Sequence, residues 1–484
     1  MHTLRIFFIA AMLSGCAHQA DNKEAPSSIP LPERSYPNEP ADFPREVDSA
    51  LTVIKDATLY PITAAPIDRG YIVMEAGKIV DVGAGEAPNL ENALVIDAKG
   101  AFVTPGVIDT HSHMGVYANP SVRAHSDGNE MVGPVTADVW AEHGFWPQDP
   151  SIRRALSGGV TTIQVLPGSA NLIGGRSYIA KLKPGISARE MRFPGAPQGL
   201  KMACGENPKR VYGSRGGPRT RMGNVAGYRR SFQRALNYLH DQEAYQRDLN
   251  AWKTEKEANP NHDEDPPNLP GRDLEMETLA SVLKGEILVH NHCYRADEMH
   301  IMLDIAEEFG FKIRSFHHAL EAYKLKDRLA QSDVASSTWA DWWGFKMEAY
   351  DGIPHNAALL SAAGAKAVIH SDSSTDIRRL NQEAAKARRA GLDLGIEITE
   401  TEALRWITLN AAWALGIHNE VGSLEKDKHA DIVIWDNPPL SVYSKPAKVF
   451  IDGKVQYDRS KPQRLSDFEI GQPHIDHQME SSHD

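Results

Sequence analysis

Across residues 101–416, short apolar runs of strand character alternate with helical stretches, and this alternation limits the fold more than any other feature of the chain. Runs at 161–166, 286–290 and 366–370 are of the first kind. Strands that alternate with helices build a parallel sheet with crossover helices, and eight such units at ~31 residues each fill a barrel of about 250 residues. A distorted (β/α)8 barrel over 105–416 is therefore expected. Segments 46–104 and 417–465 differ, because they consist of short strand-like pieces such as 71–75, 78–82, 430–435 and 448–454. The two ends are expected to combine into one small β-sandwich domain. Residues 212–270 break the barrel rhythm with a Gly/Arg-rich loop, a helical stretch over 228–257 and an acidic loop, which reads as an insertion forming a lid over one end of the sheet. Thr399-Glu400-Thr401-Glu402 is a capping sequence that predicts a helix through Leu415, with Gly416 as its stop.

Barrel enzymes keep their chemistry at the C-terminal ends of the strands. The first run ends in Asp109-Thr110-His111-Ser112-His113. Strand alternation projects His111 and His113 to one side about 6 to 7 Å apart, where both imidazoles reach one cation, and Asp109 shares that face. Later runs end in Lys201, His292, His318 and Asp372. His292 and His318 are about one barrel repeat apart, and His318 and Asp372 about two, which places the set on strands one, four, five, six and eight. Neighbouring histidines complicate the reading. His290 faces the same side as His292 and competes with it, His317 should point away from its neighbour His318, and His370 is expected to orient Asp372.

Cys204 and Cys293 read as buried inert thiols, and three cysteines offer no disulfide framework. The formal net charge of −12 excludes a general nucleic-acid binder. Against that background Lys209, Arg210, Arg215, Arg219, Arg221, Arg229, Arg230 and Arg234 form a run without an acidic residue, which either steers an anionic substrate or is a solvated face. The loop 167–176 either offers backbone N–H groups and Arg176 to a ligand or is a structural turn. Arg176, Arg215, Arg219, Arg221, Tyr294 and His370 are the candidate substrate contacts.

Taken together, 107–113 after a small β-domain, His292 and His318 on successive strands, His370-Ser371-Asp372 on the last, and the closing stretch 422–433 resemble the amidohydrolase superfamily in its imidazolonepropionase-like branch, over roughly 400 residues. The resemblance implies that His111, His113 and Asp372 hold the more buried metal and His292 and His318 a second, with Asp372 also shuttling protons. A group bridging two cations must be anionic, so it implies a carboxylated Lys201, with Glu206 as the competing bridge. Zinc suits these ligands, as one or two ions, and manganese or iron would tolerate them. The implied reaction is attack of a metal-bound hydroxide on the C–N bond of a small amide or peptide substrate, a dipeptide or N-acyl amino acid. The alternatives are a cyclic amidase of imidazolonepropionase type and a non-catalytic barrel serving as a binding module. Homo-oligomerisation is compatible with either.

The N-terminus resembles a bacterial lipoprotein signal: Arg5 precedes an apolar run over 6–13 and then Leu13-Ser14-Gly15-Cys16. That run is about half of the ~20 apolar residues a spanning helix needs. Residues 1–15 therefore read as a cleaved signal peptide, Cys16 as the lipidated residue and 16–45 as a flexible tether. A plain secretory signal is the competing reading. Ala17 in place of Asp favours the outer membrane, with the protein facing the periplasm and held only by lipid. Changing Cys16→Ser should move the protein from the membrane fraction to the soluble periplasm, because acyl chains supply the only membrane affinity in this reading. Persistence in the membrane fraction would contradict lipidation at Cys16.

Overall fold

Aliphatic and β-branched residues make five strands at the start of the described chain: β1 (Thr52–Leu59), β2 (Ile67–Glu75), β3 (Lys78–Ala84), β4 (Leu94–Asp97) and β5 (Phe102–Pro105). The computed structural model describes residues 50–260 and 262–461, so the expected signal peptide, Cys16, the tether and the stretch 462–465 lie outside the described residues. Nine strands follow in the middle of the chain: β6 (Val107–Ser112), β7 (Val160–Val165), β8 (Ile173–Arg176), β9 (Tyr178–Lys181), β10 (Gly199–Ala203), β11 (Leu288–Cys293), β12 (Ile313–His318), β13 (Ala335–Thr338) and β14 (Lys366–Ile369). The last three, β15 (Ile432–Trp435), β16 (Pro446–Ile451) and β17 (Lys454–Asp458), rejoin the first sheet in the order β17-β16-β15-β5-β1-β2-β3, with β4 also on β1. Its apolar face has its own core, in which Ile54, Leu59, Ile72 and Met74 meet Ile432, Ile434 and Phe450.

The middle strands form the TIM-type barrel of an α/β protein, with β10 to β14 parallel to one another and β6 parallel to β7. The third position departs from the expected parallel order. There β9 runs antiparallel to β7 and β8 antiparallel to β10. The reason is chain length: only residues 166–172 separate β7 from β8, whereas a parallel return needs a crossover of roughly a dozen residues or more. The stretch 167–176 is thus a turn leading into a strand.

The seam between last and first strands is bridged by backbone. Trp406 O accepts from Ile369 N at 3.2 Å, Ile407 O accepts from Ile108 N at 2.9 Å, and Asp372 N donates to His111 O at 3.0 Å. This seam also splits the helix predicted over 399–415. Thr399 caps it as expected, Oγ1 accepting from Glu402 N at 3.1 Å, but Glu400–Arg405 and Leu409–Leu415 are separate helices because carbonyls between them serve the barrel. Barrel and β-domain are tied by a buried cation. Lys181 Nζ on β9 lies 2.9 Å from His429 Nδ1 and 3.0 Å from Asp431 Oδ1, and also donates to Asp452.

The insertion is an arm more than a lid. Its helix spans Arg221–Ala258, 38 residues, about 57 Å at 1.5 Å each, and starts earlier than predicted because Thr220 Oγ1 accepts from Gly223 N at 3.0 Å. The first turns are anchored behind β10: Asn224 Nδ2 donates to Gly205 O at 2.9 Å, Tyr228 donates to Ala203 O, and Phe232 stacks on Phe311 at 4.3 Å. Residues 236–260 contain no buried side chain.

Cys204 and Cys293 are joined in a disulfide, contrary to the expected free thiols. Cys204 N donates to His292 O at 2.9 Å, and this pairing of adjacent strand ends brings the two Cα atoms to 5.3 Å, within bridging range.

Candidate metal centre

His111 and His113 from β6, Lys201 from β10, His292 from β11, His318 from β12, and His370 and Asp372 beyond β14 meet at one end of the barrel. His111 Nε2 lies 3.3 Å from His113 Nε2, 3.4 Å from Lys201 Nζ and 3.8 Å from Asp372 Oδ1. Asp372 Oδ1 lies 3.3 Å from His113 Nε2, and its Oδ2 lies 4.0 Å from His318 Nε2. The His292 ring centroid is 4.5 Å from that of His318. Two overlapping sets, His111 with His113 and Asp372, and His111 with His318 and His370, each have one ligand atom per residue within 4.8 Å of the others.

Depth varies within the expected buried set, in which the His111 side chain is 0% exposed. His113 and Asp372 keep 22% and 25% side-chain exposure, whereas His318 keeps 2%, because the former two sit at the open rim. The expected role of His370 is also corrected. Neither of its ring nitrogens has a hydrogen-bond partner, so it does not brace Asp372 by such a bond, and it joins the donors.

The imidazoles are aimed from behind. His113 Nδ1 is 2.8 Å from Leu166 O, a carbonyl that can only accept, which leaves the Nε2 lone pair facing the cluster. His111 Nδ1 is 2.9 Å from His317 Nδ1, and His317 Nε2 is 3.1 Å from His290 Nδ1. When each ring donates to the next below it, His111 Nε2 is likewise left bare toward the cluster. His317 thus points inward, contrary to simple alternation. The cause is the backbone of His318, whose φ of 69° is left-handed, so two consecutive residues face the barrel interior.

Asp109 is a latch. Its Oδ1 accepts from His111 N and from Ser371 N, both at 3.1 Å, and Oδ2 accepts from Ser371 Oγ, so one carboxylate fixes β6 to the residue before Asp372. Burial pushes its carboxyl up to about 6. Burial likewise drives Lys201 down to about 7, His290 and His370 to about 3, and His111, His292, His317 and His318 well below the usual imidazole range. Neutral imidazole is the ligand form. Burial acts to raise Asp372 too, but the neighbouring His113, His370 and Lys201 outweigh this and hold the carboxyl below its ordinary value.

The residues fit a metal. His292 Nδ1, His318 Nδ1 and both His370 nitrogens are buried without partners. Neutral imidazoles grouped around one carboxylate are the donor set of a borderline divalent cation. Other predicted residues are engaged elsewhere. Glu206 faces Lys346 Nζ at 3.8 Å. Arg176 donates to Thr278 Oγ1 at 2.9 Å and to Gln198, beneath the Trp140 ring. Arg221 pairs with Glu298 at 3.0 Å and with Glu348; Arg229 and Arg234 pair with Glu308 and Glu275, and Arg215 and Arg219 are exposed. Three of the eight basic residues of the run, Arg221, Arg229 and Arg234, are thus paired with acids from other elements. Tyr294 does reach the cluster, stacked on His318 at 5.1 Å and edge-on to His292 at 4.9 Å. Trp339 was not foreseen: it stacks on His318 at 4.4 Å and its Nε1 donates to Ser371 O at 3.0 Å. No motif marked it, whereas Asp109 was legible as sharing the face of His111.

Known proteins resemble the chain over most of its length. The family profile for the amidohydrolase family matches residues 268–456. A solved structure described as an amidohydrolase from Thermotoga maritima MSB8 superposes with a TM-score of 0.75 at 35% identity, over 84% of this chain and 100% of that one. Amidohydrolase tasK of Hapsidospora irregularis is 35% identical over 414 residues, covering 80% of this chain, which spans 40% of that protein's length. A 5-methylthioadenosine/S-adenosylhomocysteine deaminase of Symbiobacterium thermophilum is 25% identical over 406 residues, 79% of this chain and 85% of its own.

The aiming of His111 is testable. His317→Phe keeps a ring but removes both nitrogens, and should weaken divalent-metal affinity about tenfold or more with the circular dichroism spectrum unchanged. Unchanged affinity in a competition titration with a chromophoric chelator would contradict the role of the histidine chain.

Proposed function

The chain belongs to the amidohydrolase superfamily, and from that premise we propose a hydrolase that uses one or two divalent ions, zinc first, to cleave a C–N bond in a dipeptide or N-acyl amino acid. The observation that carries the proposal is the placing of Asp372, its two oxygens set against His113 at 3.3 Å and His318 at 4.0 Å. In this reading His111, His113 and Asp372 would hold one ion and His292 and His318 the other, with His370 as a further donor, and Lys201, once carboxylated, would supply an anionic ligand between them. Burial supports the carbamate, because an amine brought down to about 7 has a substantial uncharged fraction near neutrality, the form that takes up carbon dioxide. A bound divalent metal supplies Lewis acidity and water activation at neutral pH. Asp372 is ionised at that pH, accepts the proton of the attacking water on Oδ1 and returns it to the departing nitrogen. Tyr294 and Trp339 cover the ring of His318 and keep water from that side.

An envelope location, with the anchor at Cys16, belongs to the same proposal. The disulfide Cys204–Cys293 supports it, since such bonds persist in oxidising compartments. Among the described residues no helix is long and apolar enough to cross a membrane.

Hydrolytic deamination is the second reading, favoured by the name of the Symbiobacterium thermophilum relative. It breaks an exocyclic C–N bond with the same groups and releases ammonia instead of an amino acid. A panel of dipeptides, N-acyl amino acids, imidazolone-type rings and adenine nucleosides, scored for both products, separates the readings. Against the best substrate, Asp372→Asn should lose about 10²-fold or more in turnover, since an amide cannot accept the proton. A variant near the wild-type rate would remove Asp372 from proton transfer.

A further inference from the structure

The loop after β13 carries aromatic residues that the reaction itself does not use. Trp339 stacks on His318 at 4.4 Å, Trp342 stacks on Trp339 at 5.6 Å, and Phe345 meets Trp339 edge-on at 5.9 Å and Tyr294 at 6.2 Å. An aromatic wall therefore runs without a break from the metal centre toward solvent, where Phe345 is 57% exposed. Exposed rings of this size next to a site mark a binding surface more often than a packing need.

The wall is held by contacts within the protein itself. The indole of Trp339 is fixed to Ser371 O at 3.0 Å, and Gly344 N donates to Ala349 O at 2.7 Å across the loop. Lys346 lies over the Tyr294 ring at 4.0 Å and pairs with Glu206 at 3.8 Å and Glu348 at 3.6 Å. Glu348 is in turn held by Arg221. A loop already ordered by these contacts costs a ligand little to bind. The charges also decide what it binds: the one cation in the wall, Lys346, is already matched by two carboxylates, so what the wall offers a substrate is aromatic ring surface.

We infer that residues 339–350, with Tyr294, form the specificity element of this site and select substrates bearing a planar, uncharged aromatic group beside the scissile bond. The inference rests on the metal-dependent hydrolase reading and narrows its substrates. It also turns from the arginines considered as candidate substrate contacts to recognition by aromatic rings.

Three hydroxamates test it on the metal-loaded protein: phenylacetohydroxamate, cyclohexylacetohydroxamate and acetohydroxamate, which share a metal-binding head and differ only in the group offered to the wall. Calorimetry should give the phenyl compound about five- to tenfold higher affinity than the cyclohexyl one, the gain expected of aromatic contacts beyond area burial. Phe345→Ala and Trp342→Ala should each bring that ratio below about twofold while leaving acetohydroxamate affinity unchanged. Phe345 is largely exposed, so its truncation spares the core. Equal affinity for the two ring compounds, or a preference that survives both truncations, overturns the wall while the hydrolase reading stands. If none of the three binds, the metal reading fails and the wall falls with it.

Discussion

Burying unpaired imidazole nitrogens is the constraint on which the rest of this structure turns. Leaving a buried polar atom without a partner costs roughly 1–3 kcal/mol. Here His292, His318 and His370 all carry such atoms, and the cluster they belong to also holds the carboxylate of Asp372, which faces His113 and His318. A fold spends stability in this way where the groups have a ligand to meet, and divalent metal is the ligand whose chemistry matches neutral imidazole and carboxylate. The same burial explains the electrostatics. It favours the neutral form of His111, His292, His318 and His370 and brings Lys201 down to about 7, so the buried part of the cluster offers lone pairs more than positive charge.

Holding those lone pairs in place takes support from behind the cluster. Asp109 couples β6 to Ser371, His317 and His290 continue the line of His111 into the barrel, and the disulfide Cys204–Cys293 closes the ends of β10 and β11 next to Lys201 and His292. Trp339, just past the end of β13, adds a contact by packing on His318 and donating to Ser371 O. Two positive φ values, 69° at His318 and 49° at Asp372, turn the chain where these supports converge. Backbone in this region is sparsely populated for residues other than glycine and persists where surrounding contacts dictate it.

Much of this was legible from residue order because it depends on local periodicity. Alternation along β6 places His111 and His113 together, and the spacing of His292, His318 and Asp372 follows the barrel repeat. What escaped depends on tertiary geometry. His317 was expected to face away, and does not, because a left-handed His318 ends the alternation. The third barrel position was expected to be parallel, and the short connection after β7 forbids it. The basic run was read either as an anion guide or as a solvated face, and the acids that pair with Arg221, Arg229 and Arg234, namely Glu298, Glu348, Glu308 and Glu275, lie far along the chain, where no local pattern reveals them. The cysteines were read as thiols because their proximity arises only when β10 and β11 pair.

The account stands or falls on where metal binds. Anomalous diffraction at the absorption edge of the metal found in protein purified without added ions should place one or two peaks in the barrel mouth, about 2.0 to 2.2 Å from His111 Nε2, His113 Nε2 and an Asp372 oxygen. Stoichiometric metal bound elsewhere, with none of these atoms in bonding distance, would contradict it.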